Sequence, residues 1–403
     1  MAGTPVHIKV RNRLKHTDNV SGATVSVSST AAGGSSATGT TNASGIATLN
    51  LTGLTVGPFT LRVTPAHTTT DPVGPDIART PPAPARIFRS LAAEVTLSMG
   101  RIATATVAPG QSSNGAVAVG SNPNLIVDLQ PVWIASPNKH SRGSTSLDLI
   151  VVHHTAGPLI EPAINTFLSS SEKTSAHYVI DTDGQIVKMV RDEESAHQAG
   201  VSFWSGVNGV NDNSIGIEIV NRSGAYPAAQ YTALLGLLDR LLAAHTGINR
   251  RRIVGHSDIA TDGHHVLGRK SSDPGLEFEW TRLEARNLGM VPASGPPWLL
   301  MYGGFFKAVP AGSFRKGDND SHHRFGGSTT VAGVTGTPVQ EIQEDLRDIG
   351  YSVGTPDGDF GRKTEAAVEM FQEHFFSRPR QRGTRPDGRV DQATAEMIKR
   401  VRP

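Results

Sequence analysis

The chain has 403 residues, which is long enough for two to four domains of ordinary size. Its formal net charge of +2 argues against an extended basic surface for nucleic acid. The absence of cysteine excludes disulfides, cysteine nucleophiles and thiolate ligands, so any bound metal must be held by His, Asp or Glu.

The start of the chain shows no targeting pattern. The stretch Met1–Lys9 lacks the charged and then apolar order of a secretory signal. No run reaches the roughly 20 apolar residues that a membrane span needs, so we expect no such span.

The first hundred residues are rich in Ser, Thr, Gly and Val, with alternating apolar and polar runs between Gly and Asn turns. This pattern predicts an antiparallel β-sandwich over residues 1–109, followed by a Gly/Ser/Ala-rich linker at 110–128. Ser21-Gly22-Ala23, Thr41 to Gly45 and Gly57 to Leu61 resemble carboxypeptidase-regulatory-like or transthyretin-like modules. We expect a stability or spacer domain with no ligand of its own, with docking to a secretion machine or a wall polymer as the alternative.

Residues 129–292 change to strands interleaved with helices. The apolar run Leu149–Val152 predicts a buried strand that ends in His153 and His154. Further strands are predicted at 176–180, 185–190, 216–220 and 252–255, and helices at 161–170, 227–245 and 277–288. We therefore expect an α/β domain with a mixed sheet flanked by helices.

Several polar residues stand out at these strand ends. His153 or His154 is a candidate metal ligand, because a strand end fixes the direction of an imidazole. His256 follows another short strand. Glu218 lies within an apolar strand, where a carboxylate is costly unless it faces a cleft or is paired.

The last segment restarts after a Gly/Ser/Pro-rich linker at 293–336. Residues 337–403 predict three helices, separated by Asp-Gly turns at Asp357 and Asp387 that look like a repeat. The pattern resembles the three-helix peptidoglycan-binding module, and the residues that match it are Gln343, Leu346, Gly350, Tyr351, Asp357, Gly358, Phe360, Gly361, Thr364, Ala367, Val368, Phe371, Gln372, Asp387, Gly388 and Thr394. Arginines 378, 380, 382, 385 and 389 would suit an anionic polymer or a solvated face.

Six stretches of the central domain occur in a characteristic order: Ser136-Pro137-Asn138, His153 to Gly157, Ala176 to Asp181, Ser214 to Asn221, Gly255 to Ala260 and Gly268 to Gly275. Together they resemble the zinc-dependent N-acetylmuramoyl-L-alanine amidases, a family of bacterial wall amidases and phage lysins related to animal peptidoglycan recognition proteins. The resemblance implies Zn²⁺ held by His153, His256 and Asp273. It also implies that Glu218 is the general base and that Lys270 stabilises the oxyanion.

This sequence departs from the family near Lys270, which lies three rather than two residues before Asp273. The inserted stretch Thr261 to Leu267 offers His264 and His265 as alternative ligands. His177 or His197 is an alternative to Lys270 for the oxyanion. We assign His177, His197 and Asn213 to substrate binding.

The expected function is hydrolysis of the bond between N-acetylmuramic acid and L-alanine of the peptidoglycan stem peptide. The alternative is a peptidoglycan-recognition protein without catalysis. We expect action in the periplasm or cell wall, after export by a dedicated system or release by lysis. A secretion-apparatus protein or an immunity protein is a possible partner, and the oligomeric state is left open.

Overall fold

The computed structural model describes residues 4–12, 15–19, 21–29, 36–51, 58–64, 93–98, 125–129, 133–261, 273–293, 314–320, 330–331, 334–335, 338–376 and 386–403. They divide into two compact units, residues 1–135 with 185–189 and residues 136–184 with 190–403.

The strands of the described residues are, in chain order, β1 (Thr4–Asn12), β2 (Lys15–Asn19), β3 (Thr24–Ser29), β4 (Ser36–Thr40), β5 (Ile46–Leu51), β6 (Pro58–Thr64), β7 (Ala93–Ser98), β8 (Leu125–Leu129), β9 (Lys139–Ser141), β10 (Leu149–His154), β11 (Tyr178–Ile180), β12 (Ile186–Lys188), β13 (Glu194–Ala196), β14 (Phe203–Trp204), β15 (Val207–Asn208), β16 (Ser214–Ile219), β17 (Ile253–Gly255), β18 (Thr330–Val331) and β19 (Val334–Thr335). The helices of the same residues are α1 (Ile160–Leu168), α2 (Ala228–Ala244), α3 (His256–Ile259), α4 (Trp280–Glu284), α5 (Pro338–Ile349), α6 (Arg362–Phe375) and α7 (Gln392–Val401).

The first unit contains two four-stranded sheets. One has the order β2-β1-β5 with β8 also pairing β1, and the other has the order β4-β3-β6-β7. All these pairs are antiparallel except β1 with β8. The predicted strands are confirmed, whereas their closure into a sandwich stays a prediction. Strand β8 includes residues 125–128, which we expected in the linker, because their apolar run pairs in register with β1.

The second unit is built on parallel strands in the order β11-β16-β10-β17. Residues Leu149 to Val152 of β10 are at most 1% exposed, as a strand covered on both faces requires. Helix α2 buries Leu234, Leu237, Leu238 and Leu241 and contacts β11. The α/β architecture predicted for this segment is confirmed.

The order of these strands explains why the candidate residues meet. The carboxyl ends of parallel strands lie at one edge of a sheet. His153 near the end of β10 is in register with Glu218 near the end of β16. His256 follows β17, which pairs with β10 on the other side.

The C-terminal helices confirm the predicted helical domain and contain a structural repeat. The Gln343 amide on α5 accepts hydrogen bonds from the backbone N–H groups of Asp357 and Gly358 and donates to Thr364 Oγ1. Gln372 on α6 makes the same bonds to Asp387, Gly388 and Thr394. Each glutamine thus ties one helix to the Asp-Gly turn before the next helix.

Part of the predicted linker 293–336 belongs to this helical domain. Phe314 forms a β-bridge with Val390, and Asn319 forms one with Asp359. The Asp320 carboxylate accepts the backbone N–H groups of Val339 and Gln340 at 2.9 and 3.1 Å, and so caps the first turn of α5. These tertiary contacts order a stretch whose composition predicts a linker.

Among the helices described by the structure, none combines the length and apolar character needed to cross a membrane.

Candidate metal centre and its cavity

Three side chains that are far apart in the sequence converge beyond the sheet edge. His153, His256 and Asp273 each offer a ligand atom, and these atoms lie within 4.8 Å of one another. The two Nδ1 atoms are 3.0 Å apart, and Asp273 Oδ2 lies 3.0 Å from His256 Nδ1 and 3.7 Å from His153 Nδ1. All three residues are buried.

A chain of hydrogen bonds sets the orientation of the His153 ring. Ser214 Oγ donates to the Val210 carbonyl at 2.5 Å, so this hydroxyl accepts from Gln198 Nε2 at 2.7 Å. Gln198 Oε1 therefore faces His153 Nε2, at 2.5 Å, and accepts its proton. The Nδ1 atom of a neutral His153 is then left with its lone pair directed at the cluster.

His256 is oriented in the same way by the backbone. Its Nε2 lies 3.2 Å from the Ala199 carbonyl, which can only accept. Its Nδ1 therefore also presents a lone pair. Asp273 is held by the His154 backbone N–H, which donates to Oδ1 at 2.8 Å and leaves Oδ2 facing the two histidines.

This donor set fits a zinc ion. Two nitrogen lone pairs and a carboxylate oxygen at these separations repel one another unless a positive charge lies between them. Tetrahedral zinc with bonds of about 2.0–2.1 Å would place its ligand atoms about 3.3 Å apart, within the range observed here. Two histidines and one carboxylate also form a common ligand set of catalytic zinc sites.

The pKa values of the three side chains also favour a bound cation. Burial would raise the pKa of Asp273, but the hydrogen bonds and charges of His153 and His256 hold it well below its usual range. Burial lowers the pKa of His153, and the stronger effect of Asp273 leaves it raised. Burial and the charge of His153 lower the pKa of His256. The cluster thus attracts a positive charge to the space between its three members.

His154, the alternative first ligand, is turned away from the cluster. Its Nδ1 accepts the Ala156 backbone N–H at 2.9 Å. Neighbouring residues of a strand face opposite sides, so only one of the two histidines can point at the centre.

A cavity of about 610 Å³ opens onto the cluster. This volume is in the range of small-molecule binding sites. The cavity is lined by the three candidate ligands together with Glu218, His197 and Gln198. Helix α1, the end of β10 and several connecting segments complete the lining with His154, Thr155, Ala156, Pro162, Ala163, Thr166, Phe167, Lys173, Thr174, Gly200 and Asn211. Glu218 and His153 thus lie side by side on neighbouring strands and line the same cavity.

His197 lines the cavity and is held from behind by a second histidine. Its Nε2 lies 3.0 Å from His140 Nδ1, and His140 Nε2 lies 2.8 Å from Asp212 Oδ1. Burial acts to raise the pKa of Asp212, but the hydrogen bonds from Ser195 and His140 and the nearby positive charges together leave it lowered. When His140 is neutral, its Nε2 proton goes to the ionised Asp212, its Nδ1 accepts from His197 Nε2, and His197 Nδ1 is left as an acceptor.

His177 and Asn213 do not line this cavity. His177 is fully buried, and its Nδ1 accepts the Gly216 backbone N–H at 3.0 Å. Asn213 Nδ2 donates to Asp148 Oδ1 at 2.7 Å, before the start of β10. These contacts stabilise the strands that carry the centre and do not place either side chain against a bound molecule.

Lys270, His264 and His265 lie outside the described residues, so their assignments stay predictions.

Sequence reasoning missed Gln198 as the residue that orients His153. Its only signal in the sequence is its position next to His197, which we assign to substrate binding. Gly216 is a related omission, since a Cβ atom there would lie 2.6 Å from Gln198 Cγ. Its lack of a side chain makes room for Gln198.

Two parts of the chain match known protein families. Residues 143–275 match the family model of N-acetylmuramoyl-L-alanine amidase, and residues 335–398 match that of a peptidoglycan binding domain. These matches support the resemblance of the central domain to the amidases and that of the C-terminal segment to the peptidoglycan-binding module.

Two curated relatives and one solved structure illustrate the similarity. The chain is 36% identical over 129 residues to the 1,6-anhydro-N-acetylmuramyl-L-alanine amidase AmpD of Salmonella typhimurium strain SL1344, covering 31% of this chain and 65% of AmpD. It is 28% identical over 163 residues to the N-acetylmuramoyl-L-alanine amidase AmiD of Escherichia coli strain K12, covering 36% of this chain and 55% of AmiD. The chain thus spans less than two thirds of the length of either relative. The structure of E. coli AmiD in complex with anhydro-N-acetylmuramic acid-L-Ala-D-gamma-Glu-L-Lys has a TM-score of 0.47 at 23% identity, covering 65% of this chain and 89% of AmiD.

Proposed function

We propose that this protein is a zinc-dependent amidase that hydrolyses the amide between N-acetylmuramic acid and L-alanine of the peptidoglycan stem peptide. The observation that carries the proposal is the convergence of His153, His256 and Asp273 at a cavity that Glu218 also lines. The match of residues 143–275 to the amidase family supports it.

The three ligands would hold the zinc through His153 Nδ1, His256 Nδ1 and Asp273 Oδ2. A bound zinc would lower the pKa of water in the cavity and would polarise the scissile carbonyl. Gln198 and the Ala199 carbonyl keep both imidazoles in the tautomer that this binding requires.

Glu218 would act as the general base. Its carboxylate takes a proton from the attacking water as the water oxygen forms a bond to the carbonyl carbon. When the carbon–nitrogen bond breaks, the same group returns that proton to the leaving nitrogen of L-alanine. The products are a muramic lactyl carboxylate and a free stem peptide.

We propose separate roles for His197 and Lys270. A neutral His197 presents an acceptor, which suits a substrate N–H group and cannot stabilise an oxyanion. We therefore assign His197 to substrate binding and keep Lys270 as the cation that stabilises the tetrahedral oxyanion.

The other domains would bring the catalytic centre to an insoluble substrate. We propose that the C-terminal helices bind peptidoglycan, and their match to the peptidoglycan-binding family supports this. We propose that the N-terminal strands form a β-sandwich that acts as a spacer, and that the protein works in the periplasm or cell wall. Delivery by a secretion apparatus and neutralisation by an immunity protein stay predictions.

The first test is mass spectrometry of the soluble fragments released from purified peptidoglycan. We expect the wild type to release free peptides that begin with L-alanine. The Glu218→Gln variant should release them at least about 100-fold more slowly, because a general base contributes about 10²–10⁴-fold. Glu193→Gln is the control, since Glu193 is exposed and does not line the cavity.

Chelation completes this test. Treatment with EDTA should stop release and added zinc should restore it. Fragments whose lactyl–alanine bonds are intact would mean that another bond is cut. Binding to peptidoglycan without release of peptides would favour the recognition protein that lacks catalysis.

A further inference from the structure

A buried carboxylate lies where the C-terminal helices meet the catalytic domain within the second unit. Asp258 is on α3, two residues after His256, and its side chain is fully buried. Tyr351, just after α5, donates its hydroxyl to Asp258 Oδ1 at 2.6 Å. His374 on α6 places Nδ1 2.7 Å from Asp258 Oδ2 and donates to it.

Both partners of Asp258 are fixed by aromatic contacts with the catalytic domain. His374 stacks on Trp280 of α4, with ring centroids 4.0 Å apart and an interplanar angle of 20°. Tyr351 meets the edge of Trp204 on β14 at 5.1 Å. Tyr351 and His374 are 1% and 2% exposed, so water does not replace them at the carboxylate.

Asp258 is also tied to the candidate metal ligands through the backbone. Its Oδ2 accepts the Gly255 N–H at 2.7 Å, which closes the single turn of α3 that begins with His256. The next residue of this turn, Ser257, donates its N–H to the Asp273 carbonyl at 2.7 Å. One short turn therefore links two candidate ligands to the contact with the C-terminal helices.

This turn has little freedom to adjust. A Cβ atom on Gly255 would lie 2.8 Å from Pro274 Cδ, so backbone and ring are already in close contact. A buried carboxylate that loses one hydrogen-bond donor must move or find another partner, because leaving it unsatisfied is costly. Any such movement of Asp258 would be passed to His256 and Asp273.

We propose that Asp258, clamped by Tyr351 and His374, is a positioning residue for the metal centre, so that the C-terminal helices help determine zinc affinity in addition to binding the wall. This inference rests on the proposed zinc function. It makes the C-terminal helices part of the catalytic structure and more than a tethered binding module.

The chain contains a matched control for this clamp. Asp192 is held in the same way, with Tyr178 donating to Oδ1 at 2.7 Å and His245 Nε2 lying 2.9 Å from Oδ2. Tyr178 is 1% exposed, as is Tyr351. Tyr178→Phe and Tyr351→Phe therefore remove the same kind of buried hydrogen bond, but only Tyr351 is connected through Asp258 to a candidate ligand.

The experiment measures zinc affinity of the full-length variants by competition with a chromophoric chelator, together with unfolding in urea. We expect Tyr351→Phe to weaken zinc binding by about tenfold or more, as loss of outer-shell partners does in other metal sites. The zinc affinity of Tyr178→Phe should stay within about twofold of that of the wild type. The urea midpoint of unfolding should fall in both tyrosine variants, because each loses a buried hydrogen bond. His153→Ala should abolish specific binding.

A second pair of variants keeps the test decisive if Tyr351→Phe does not fold. His374→Gln retains a donor for Asp258, and His374→Leu does not, so the glutamine variant should bind zinc more tightly than the leucine variant. Equal affinities in the wild type, Tyr351→Phe and both His374 variants would overturn the inference alone. A wild type with no zinc affinity would overturn the proposed function as well.

Discussion

At the scale of single residues, the centre depends on what the second nitrogen of each histidine does. His153 Nε2 is engaged by a glutamine side chain, and His256 Nε2 by a backbone carbonyl. A carbonyl of the main chain cannot be removed by substitution, but Gln198 can. The role of Gln198 is therefore open to a direct test.

Gln198→Ala should lower the zinc affinity by about tenfold or more, because His153 loses the acceptor that holds its tautomer. The affinity is measured by chelator competition. Gln230→Ala is the control, since Gln230 is also buried and donates to the Val220 carbonyl at 2.8 Å, outside the cavity lining. The same loss in both variants would show a general effect of packing.

At the scale of secondary structure, two glycines allow elements to approach closely. Gly216 on β16 makes room for Gln198, as described above. Gly350 ends α5 with a φ of +135°, and its backbone carbonyl accepts the Ser205 N–H at 2.9 Å. A Cβ atom there would lie 2.6 Å from the ring of Trp204, which belongs to the catalytic domain.

Gly350→Ala should therefore lower the free energy of unfolding by about 3 kcal/mol, combining backbone strain with overpacking against Trp204. Urea unfolding measures the change. Gly224→Ala separates the backbone strain from the overpacking, because Gly224 has a φ of +84° but open space around its Cβ position. We expect that control to lose only about 1 kcal/mol. Equal losses would mean that contact with Trp204 contributes nothing.

At the scale of the whole second unit, the catalytic domain and the C-terminal helices share one continuous apolar core. It includes Leu149 and Val254 of the sheet together with Leu346 and Phe371 of the helices. Glu373 lies in this packed region on α6, only 5% exposed, and its Oε1 has no hydrogen-bond partner among the described residues. Burial and the charges of Asp258, Asp273 and Glu369 raise its pKa to about 8.

This raised pKa predicts how stability depends on pH. Between the ordinary value of 4.5 and about 8, the folded protein keeps a proton that the unfolded chain has released. The contribution of Glu373 to the free energy of unfolding therefore falls as pH rises through this window, by at most about 1.4 kcal/mol per pH unit. Glu373→Gln should be more stable than the wild type at pH 8, and the difference should shrink towards pH 5. Urea titrations at several pH values in the presence of EDTA measure it, and a difference that does not change with pH would contradict the assignment.

The sequence by itself determined the order of the elements and the chemical types at the centre. Apolar runs such as Leu149–Val152 and the helical spacing of the leucines in α2 depend on neighbours within a few residues, so they can be read locally. The two Asp-Gly turns at Asp357 and Asp387 can likewise be recognised from short motifs. Together with the resemblance to the amidases, these patterns were enough to predict His153, His256 and Asp273 as metal ligands and Glu218 as general base.

Only the tertiary structure decided how those side chains are oriented and what supports them. It turns His153 rather than His154 towards the other candidate ligands, and it brings Gln198 to His153 across 45 residues of sequence. It joins Asp258 to Tyr351 and His374 across 93 and 116 residues. Such contacts leave no periodic trace in the chain, because each depends on the packing of elements and not on the spacing of neighbouring residues.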